Sequence, residues 1–359
     1  MANDRLEDAR PTVLVDGKAN ESLRQGLLSL VICEDAEGLF RCEAAFGNLA
    51  GKSGGVEFLY FDRKTLDFGG ALRIELKGDV LFDGRITGLE ARFPSKSPPE
   101  LCVLAEDALQ DLRMTRRTRT FLNTTDADVF NKIADDHSLG KSVRLSGGPH
   151  AVLAQINQSD LAFLRERARA VEAELWVATG GDGKATLNAA PRAARGQGSP
   201  TKLGWRNELQ EFEVVADLAG QRTAVVASGW DVAAKQAVKY SASDGDLGGE
   251  LGADESGASI LQSKFKARPE SVAHGTPSTQ QEAETRAKGH FRMQARRFVV
   301  GRGVARTTGQ LRVGAFVDLD GLGPLFSGKY YLSEVRHRFD GVRGLRTEFS
   351  AERAGLGRP

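Results

Sequence analysis

Cysteine is nearly absent from this sequence: Cys33, Cys42 and Cys102 are the only three in 359 residues. They stand singly, without C-x-x-C spacing, which excludes a disulfide framework and a cysteine-built zinc site and suits a reducing cytosol. Histidine is scarce too. None of His137, His150, His274, His290 and His337 stands at metal-ligand spacing from another, and there is no H-E-x-x-H. Charge of one sign is lacking as well. With 49 basic and 48 acidic residues the formal net charge is +1, which gives no reason to expect general nucleic-acid binding or an acidic ligand. The longest near-apolar run, Leu27 to Cys33, is far short of the ~20 residues that span a bilayer. The opening MANDRLEDAR lacks the apolar core of a signal peptide. The expectation is a soluble chain made in the cytoplasm, with no membrane partner.

Catalytic signatures are missing in the same way. There is no G-x-x-x-x-G-K-[ST] and no G-x-S-x-G. Gly301-x-Gly303-x-x-Arg306 is an incomplete glycine fingerprint, and it lies between strands instead of opening a helix. No residue set suggests a catalytic, cofactor or metal site, so the expectation is a non-enzyme with no cofactor. At this length the chain has room for two or three domains and should bury roughly three quarters of its unfolded surface.

What is present is a repetition. LFDGRITGLEARF at 81 to 93 returns as LFSGKYYLSEVRHRF at 325 to 339. From Gly70 to Phe82 is 12 residues, and so is Gly314 to Phe326. Ala105-Glu106 follows Phe93 by the same 12 that separate Ala351-Glu352 from Phe339. Between Gly84 and Phe93 the first copy has 9 steps; between Gly328 and Phe339 the second has 11. An insertion of two is what a strand tolerates, because side chains alternate faces. Each copy also shifts phase once: Phe82, Gly84, Ile86 give way to Leu89, Ala91, Phe93, and Tyr330, Leu332 give way to Val335, His337, Phe339. A one-residue phase change reads as a β-bulge or corner. The chain therefore reads as holding two copies of one β module. Gly84 and Gly328 would allow close backbone approach beside the bulge, and His337 reads as a packed histidine.

Short strands punctuated by Gly, Asp and Pro fill residues 11 to 107, as in an antiparallel barrel or sandwich. TTDADVFNKIADDHSLG then reads as a helix capped by Thr125 and stopped by Gly140, with Val129, Phe130, Ile133 and Ala134 as its apolar face. A second helix starts at Ser159 and runs into the hairpin ELWVATGGDGKATLNA. After a linker, strands resume from Trp205; a helix near 280 to 295, with Thr279 and Glu282 as a capping box, precedes the last strands. The fold class expected is α+β, mainly β. Residues 1–111 form a first barrel, 112–200 an α/β insert, 201–240 with 296–359 a split second barrel, and 241–295 an insertion. Asp126, Asp128, Asp135 and Asp136 read as helix-dipole complement and solvated face. The run Arg113-Met114-Thr115-Arg116-Arg117-Thr118-Arg119 reads as a solvated or interface strand, with contact to phosphates as the alternative.

These residues resemble a known family. Leu81-Phe82-x-Gly84-x-Ile86-Thr87, Arg116-x-x-Arg119-Thr120-Phe121, Gln155-x-x-x-Ser159-Asp160-Leu161-Ala162-Phe163-Leu164, the Trp205 segment and Gly314 through Val335-x-His337 look like the baseplate hub of contractile injection machines. That family includes the late-control D proteins of myophage tails and the N-terminal half of the type VI secretion protein VgrG. The phrase Gln155, Ser159, Asp160, Phe163, Leu164 is the most specific, and the resemblance spans roughly residues 10 to 355. It implies that the two modules resemble the tail-tube subunit. Three chains would then make a pseudo-six-fold ring, joining a six-fold inner tube above to a trimeric spike below. VgrG-type chains continue into an OB-fold and a β-helical needle; here the chain stops at Pro359, so the spike is expected to be a separate polypeptide. The implied role is a structural component of a phage tail or injection particle, working with the tube, the spike and other baseplate proteins. Two alternatives stay open: a particle-borne cell-wall hydrolase, and a DNA-binding late-gene regulator.

Overall fold

The structure is a computed structural model that describes residues 10–52, 55–180, 183–196, 198–272 and 276–358. The opening MANDRLEDAR, up to its ninth residue, and His274 lie outside the described residues. Strand makes up 48% and helix 22% of the chain, so it is mainly β.

The first run of strands is β1 (Thr12–Val15), β2 (Lys18–Ala19), β3 (Leu27–Asp35), β4 (Arg41–Gly47), β5 (Ala50–Lys52), β6 (Gly55–Glu57), β7 (Ala71–Leu76), β8 (Asp79–Arg92) and β9 (Glu100–Glu106). A short helix α1 (Glu21–Gly26) precedes β3, capped by the Asn20 side chain, which accepts from the Leu23 N–H at 3.0 Å. β7 turns into β8 through Lys77 and Gly78 alone. Both have left-handed φ (52° and 93°), the geometry of a two-residue hairpin turn. Period-two alternation puts Leu30, Ile32, Phe46, Leu72, Ile74, Phe82, Ile86 and Val103 into one core.

Between the runs, a segment packs around its own core. It comprises α2 (Leu109–Met114), β10 (Arg116–Thr124), α3 (Asp126–Asp136), β11 (Gly140–Val143), β12 (His150–Ser159), α4 (Asp160–Ala170), β13 (Ala173–Thr179), β14 (Ala185–Pro191) and α5 (Arg192–Arg195). β10 and β12 form a two-stranded ribbon, and β11-β14-β13 a three-stranded sheet. Thr125 and Asp128 form the capping box of α3, while Ser159 caps α4. α3 ends at Asp136, and Gly140 begins β11 instead of stopping the helix.

The second run holds β15 (Thr201–Gly204), β16 (Leu209–Ala216), then β17 (Ala224–Asp231), β18 (Gln236–Ser243), β19 (Glu255–Ser256), α6 (Gly257–Phe265), β20 (Pro269–Val272), α7 (Gln280–Ala295), β21 (Val299–Arg306), β22 (Phe316–Asp320), α8 (Gly323–Phe326), β23 (Gly328–Asp340), β24 (Gly344–Arg353) and β25 (Gly355–Leu356). β17 and β18 were expected in the second barrel. β17 pairs with β18 on one side and β20 on the other, and this sheet shares a core with α7, outside the long sheet. Thr279 caps α7 by accepting from the Glu282 N–H, but the Glu282 carboxylate turns back to the Ser278 N–H, not that of Thr279.

One continuous sheet crosses both runs, in the order β16-β21-β24-β23-β3-β4-β9-β8-β7-β1-β2, with β22 also on β23 and β15 on β22. Two blocks within it have the same order: β3-β4-β9-β8-β7 and β16-β21-β24-β23-β22. Both carry a register shift in the first strand, at Leu28 and at Gln210. Both carry another in the long strand, at Thr87 and at Ser333. Aligned on those bulges, Ile86 opposite Ala105 matches Leu332 opposite Ala351. Closed barrels were expected, yet among the described residues neither block closes. Closure would need β3 to meet its own block's far strand, but the outer edge of β3 pairs with β23 instead, Leu30 facing Phe339.

Candidate functional site

The anchoring residues of the sequence motif lie under the β10–β12 ribbon. Ser159 accepts from the Ala162 N–H at 3.2 Å and starts α4. That places Asp160, 1% exposed, at the first turn of the helix. Its carboxylate accepts from Arg119 Nη2 at 2.7 Å and Gln155 Nε2 at 2.8 Å, meets His137 Nε2 at 2.9 Å and lies 3.2 Å from Arg117 Nε. Gln155 is fully buried; Phe163 stacks on Phe121 with centroids 5.9 Å apart; Leu164 has no exposure. The motif therefore ties the ribbon to the helix. It also draws in the arginine run. Arg113 pairs with Glu106, Arg116 donates to the Asn157 carbonyl at 2.8 Å, and Arg119 also reaches Asp136 at 2.7 Å. These cations face carboxylates and carbonyls, as in an interface strand.

The acidic cluster differs from expectation at one position. Asp126 is fully buried, not solvated. Gly147 packs so closely that an added Cβ there would collide with its carboxylate. The carboxylate accepts from Arg167 and meets His150 Nε2 at 2.8 Å. Burial pushes its pKa up, but the Arg167 and His150 hydrogen bonds outweigh that and hold it below the ordinary carboxylate value. Asp128 caps its own helix, Asp135 meets Lys141, and Asp136 meets Lys132.

The repeat residues separate into two kinds. Phe82 is buried and pairs with Ile74; an added Cβ on Gly84 would meet the Glu106 carbonyl and the Phe82 ring. In the second block Leu319, the counterpart of Ile74, faces Gly328, so Gly328 stands where Phe82 stands. Phe326 instead ends α8, in a connection seven residues long where the first block has two. Gly314 has left-handed φ (94°) and donates to the Leu332 carbonyl. Its counterpart by hydrogen bonding is Gly69, which has φ 76° and donates to the Ile86 carbonyl, and not Gly70. Phe93 and Phe339 do occupy matching places, six residues after the bulge, with opposite fates: Phe339 is 3% exposed and Phe93 66%.

The junction of the two blocks is itself a polar site. Glu34 on β3, 1% exposed, pairs with Arg312 and accepts from the Val313 N–H at 3.1 Å. Arg312 also donates to the Val80 carbonyl at 2.8 Å, and Asp79 accepts from the Gly309 N–H at 3.2 Å. Beside them His337 is fully buried, its Nδ1 2.9 Å from Thr347 Oγ1. Burial, opposed by Glu34 and reinforced by Arg312, pulls its pKa down to about 4. Burial also raises Asp107 to about 7, against hydrogen bonds from the Phe40 and Leu109 N–H groups. A cleft of about 960 Å³ opens here, lined by Glu34, Phe82, Asp107, Trp176, Arg195 and Arg312. A second crevice of about 950 Å³ lies between the inserted segments and β23–β24. Its arginines are matched, Arg192 with Glu352, Arg292 and Arg296 with Glu172, Arg353 with Asp254, while Lys329 lies over the Phe316 ring at 3.8 Å. Among the described residues no group of His, Cys, Asp and Glu could hold a metal, and no helix is long and apolar enough to cross a membrane.

The sequence reading missed β3 with β16 and β4 with β21 as matching pairs. A signal was available. Leu27 to Asp35 and Leu209 to Asp217 have the same spacing of eight. Each aspartate also accepts from the N–H two residues on, of Glu37 at 2.8 Å and of Ala219 at 2.9 Å.

The fold as a whole is similar to that of solved phage tail proteins. The 43 kDa tail protein of prophage MuSo2 from Shewanella oneidensis superposes with a TM-score of 0.65 at 13% identity, over 96% of this chain and 98% of that one. A tail protein from Neisseria meningitidis MC58 gives 0.68 at 15%, over 97% and 98%. The E. coli c3393 protein, a component of the type VI secretion system with structural similarity to the T4 tail proteins gp27 and gp5, gives 0.58 at 13%, over 93% and 76%. No curated protein sequence matches. The profile of the Alg8 N-terminal domain matches residues 69–340, well over half of the chain, and the chain belongs to that family.

Proposed function

We propose that this chain is the structural hub of a contractile tail or injection particle: a trimeric ring of six alike β units between the inner tube and the spike. The observation that carries the reading is the five-strand block written twice, with the same strand order and the same two bulges, in a single sheet. Two tube-like units per chain let three chains match a six-fold tube and a three-fold spike at once, since closed rings satisfy both symmetries. The inserted segments, 112–200 and those between β16 and β21, decorate the ring. The likeness to tail proteins and to a type VI secretion component supports the same role. We read the role as non-enzymatic, which the likeness to tail proteins supports.

Native mass of the purified chain, alone and with the spike protein of the same particle, tests the reading. A species near 116 kDa, three times the 38.7 kDa chain, with a ring visible by electron microscopy is expected. A chain that stays monomeric with the spike present would overturn it. A DNA-binding or wall-hydrolase role would then be re-examined by salt-sensitive DNA retention and muralytic assay.

A further inference from the structure

We propose that the outer edge of β16 in one copy pairs antiparallel with the free half of β8 in a second copy, in the register that β3 and β23 use inside the chain. The inference rests on the hub reading and names the joint between its subunits.

Within the chain, β3 and β23 already make this joint. Residues Ser29–Asp35 of β3 run antiparallel to Glu334–Asp340 of β23, which has β24 on its other side. The counterpart of β3 is β16, and its outer edge has no strand partner among the described residues. The counterpart of Glu334–Asp340 is Gly88 to Pro94. There β9 covers one side, while β7 ends its pairing at Arg85, leaving the other side without a strand among the described residues. One strand end and one strand half are thus bare at the two positions that the internal joint fills.

The side chains report the same vacancy. Phe339 belongs to the core of the first block, across the joint from its own block, and Val335 and His337 beside it are fully buried. At the matching positions Phe93 is 66% exposed, with its ring resting only on Phe61 at 5.6 Å and Phe58 at 6.5 Å among the described aromatic residues, while Ala91 is exposed and Leu89 half-buried. Val215 on β16 is 58% exposed. β16 reads LQEFEVVA, with none of the lysine or proline that usually blunts a free edge.

Carrying the internal register across gives specific neighbours. Leu30 facing Phe339 becomes Phe212 facing Phe93, so Phe93 would close over the second block's core as Phe339 closes over the first. Val214 would face Ala91, and Ala216 would face Leu89, on the same apolar side. On the opposite face Glu213 would meet Arg92, an ion pair between strands. Both are exposed, and Arg92 now rests on Glu90 of its own strand at 3.0 Å. Such a joint is head-to-tail, so it propagates from copy to copy until a ring closes.

A register-specific cross-link tests this with the full chain. The variant carrying both Arg92→Cys and Glu213→Cys is oxidised alone and with the spike protein present, against the wild type as control for Cys33, Cys42 and Cys102. Facing strand positions lie within disulfide reach. The expected product is a covalent trimer and nothing larger; equal mixtures of the two single variants should stop at dimers. A trimer by native mass that forms no cross-link overturns the edge pairing and leaves the hub reading standing. Cross-linked chains longer than three keep the joint and overturn the three-fold ring. A monomer under both conditions overturns both. As a second variant, Arg92→Glu should weaken the trimer, and adding Glu213→Arg should restore it; no rescue counts against this register.

Discussion

Arg167 holds Asp126 at two points, Nε to Oδ1 at 2.6 Å and Nη2 to Oδ2 at 3.1 Å, inside the core of the inserted segment. Asp126 has no solvent exposure, so removing its partner strands a charge. Arg167→Met should cost roughly 3–5 kcal/mol, and Asp126→Asn a similar amount, because a buried pair broken on one side leaves the other uncompensated. Urea unfolding followed by circular dichroism reads this directly. A loss near that of an exposed pair, under about 1 kcal/mol, would contradict the geometry.

Gly84 and Gly328 answer to different constraints, and substitution should separate them. A Cβ on Gly84 runs into the Glu106 backbone, which cannot swing away as a side chain could. Gly84→Ala should therefore overpack the β8–β9 crossing, at about 1–3 kcal/mol or more. At Gly328 the nearest atoms belong to the Arg353 side chain, and the obstacle is φ of 127°. Gly328→Ala should cost about 1–2 kcal/mol of backbone strain. Melting temperatures ranked the other way would show the clash at Gly84 to be relieved.

His337 gives acid sensitivity with a definite sign. Its pKa falls from 6.5 in the unfolded chain to about 4 in the fold. The folded state thus resists the proton, and the stability this contributes is present above pH 6.5 and lost as pH falls through 4. Glu34 and Arg312 are the charged groups that act on it. In His337→Gln the decline between pH 6.5 and 4 should flatten, by up to roughly 3 kcal/mol at the lower end. An unchanged slope would place the acid sensitivity elsewhere.

Asp107 works in the other direction. Its pKa rises from 3.8 to about 7, so its neutral form suits the fold. The stability it contributes is complete below pH 3.8 and lost as pH climbs through 7. Chemical-shift titration of its carboxyl carbon should show a midpoint near neutrality; a midpoint in the ordinary carboxylate range would refute it.

The joint between the blocks offers a further test. Glu34 is buried against Arg312 and the Val313 N–H. Arg312→Ala should leave that carboxylate unpaired and loosen the segment from Gly309 to Gly314. Limited proteolysis there should be faster than in the wild type, and equal rates would show the ion pair to be dispensable.

Helices were legible because their signals are local. Thr125 with Asp128, Ser159, and Thr279 each mark a start that the structure keeps, and Phe130, Ile133 and Leu164 are buried on the faces their spacing indicates. Register was less legible. The matching Phe-x-Gly phrases fall two residues apart, because α8 lengthens one connection while Lys77 and Gly78 close the other. Ladder hydrogen bonds fix register, and a phrase that straddles a loop carries none of them. Asp126 was misread because its partners, Arg167 and His150, come from elements far along the chain. Membership of β17 and β18 failed likewise: alternation marks a strand but does not name its neighbour.

The pairing of β3 with β23 has a cost during synthesis. β3 is complete at Asp35, and its partner segment ends at Asp340. On a ribosome adding about 5–20 residues per second, that interval lasts some tens of seconds. Throughout it, the apolar strand LLSLVICED presents an unsatisfied edge to every other nascent chain nearby. A long bare edge invites wrong partners. This chain should accordingly lean on chaperones, or on slow translation at low temperature, more heavily than its finished stability implies.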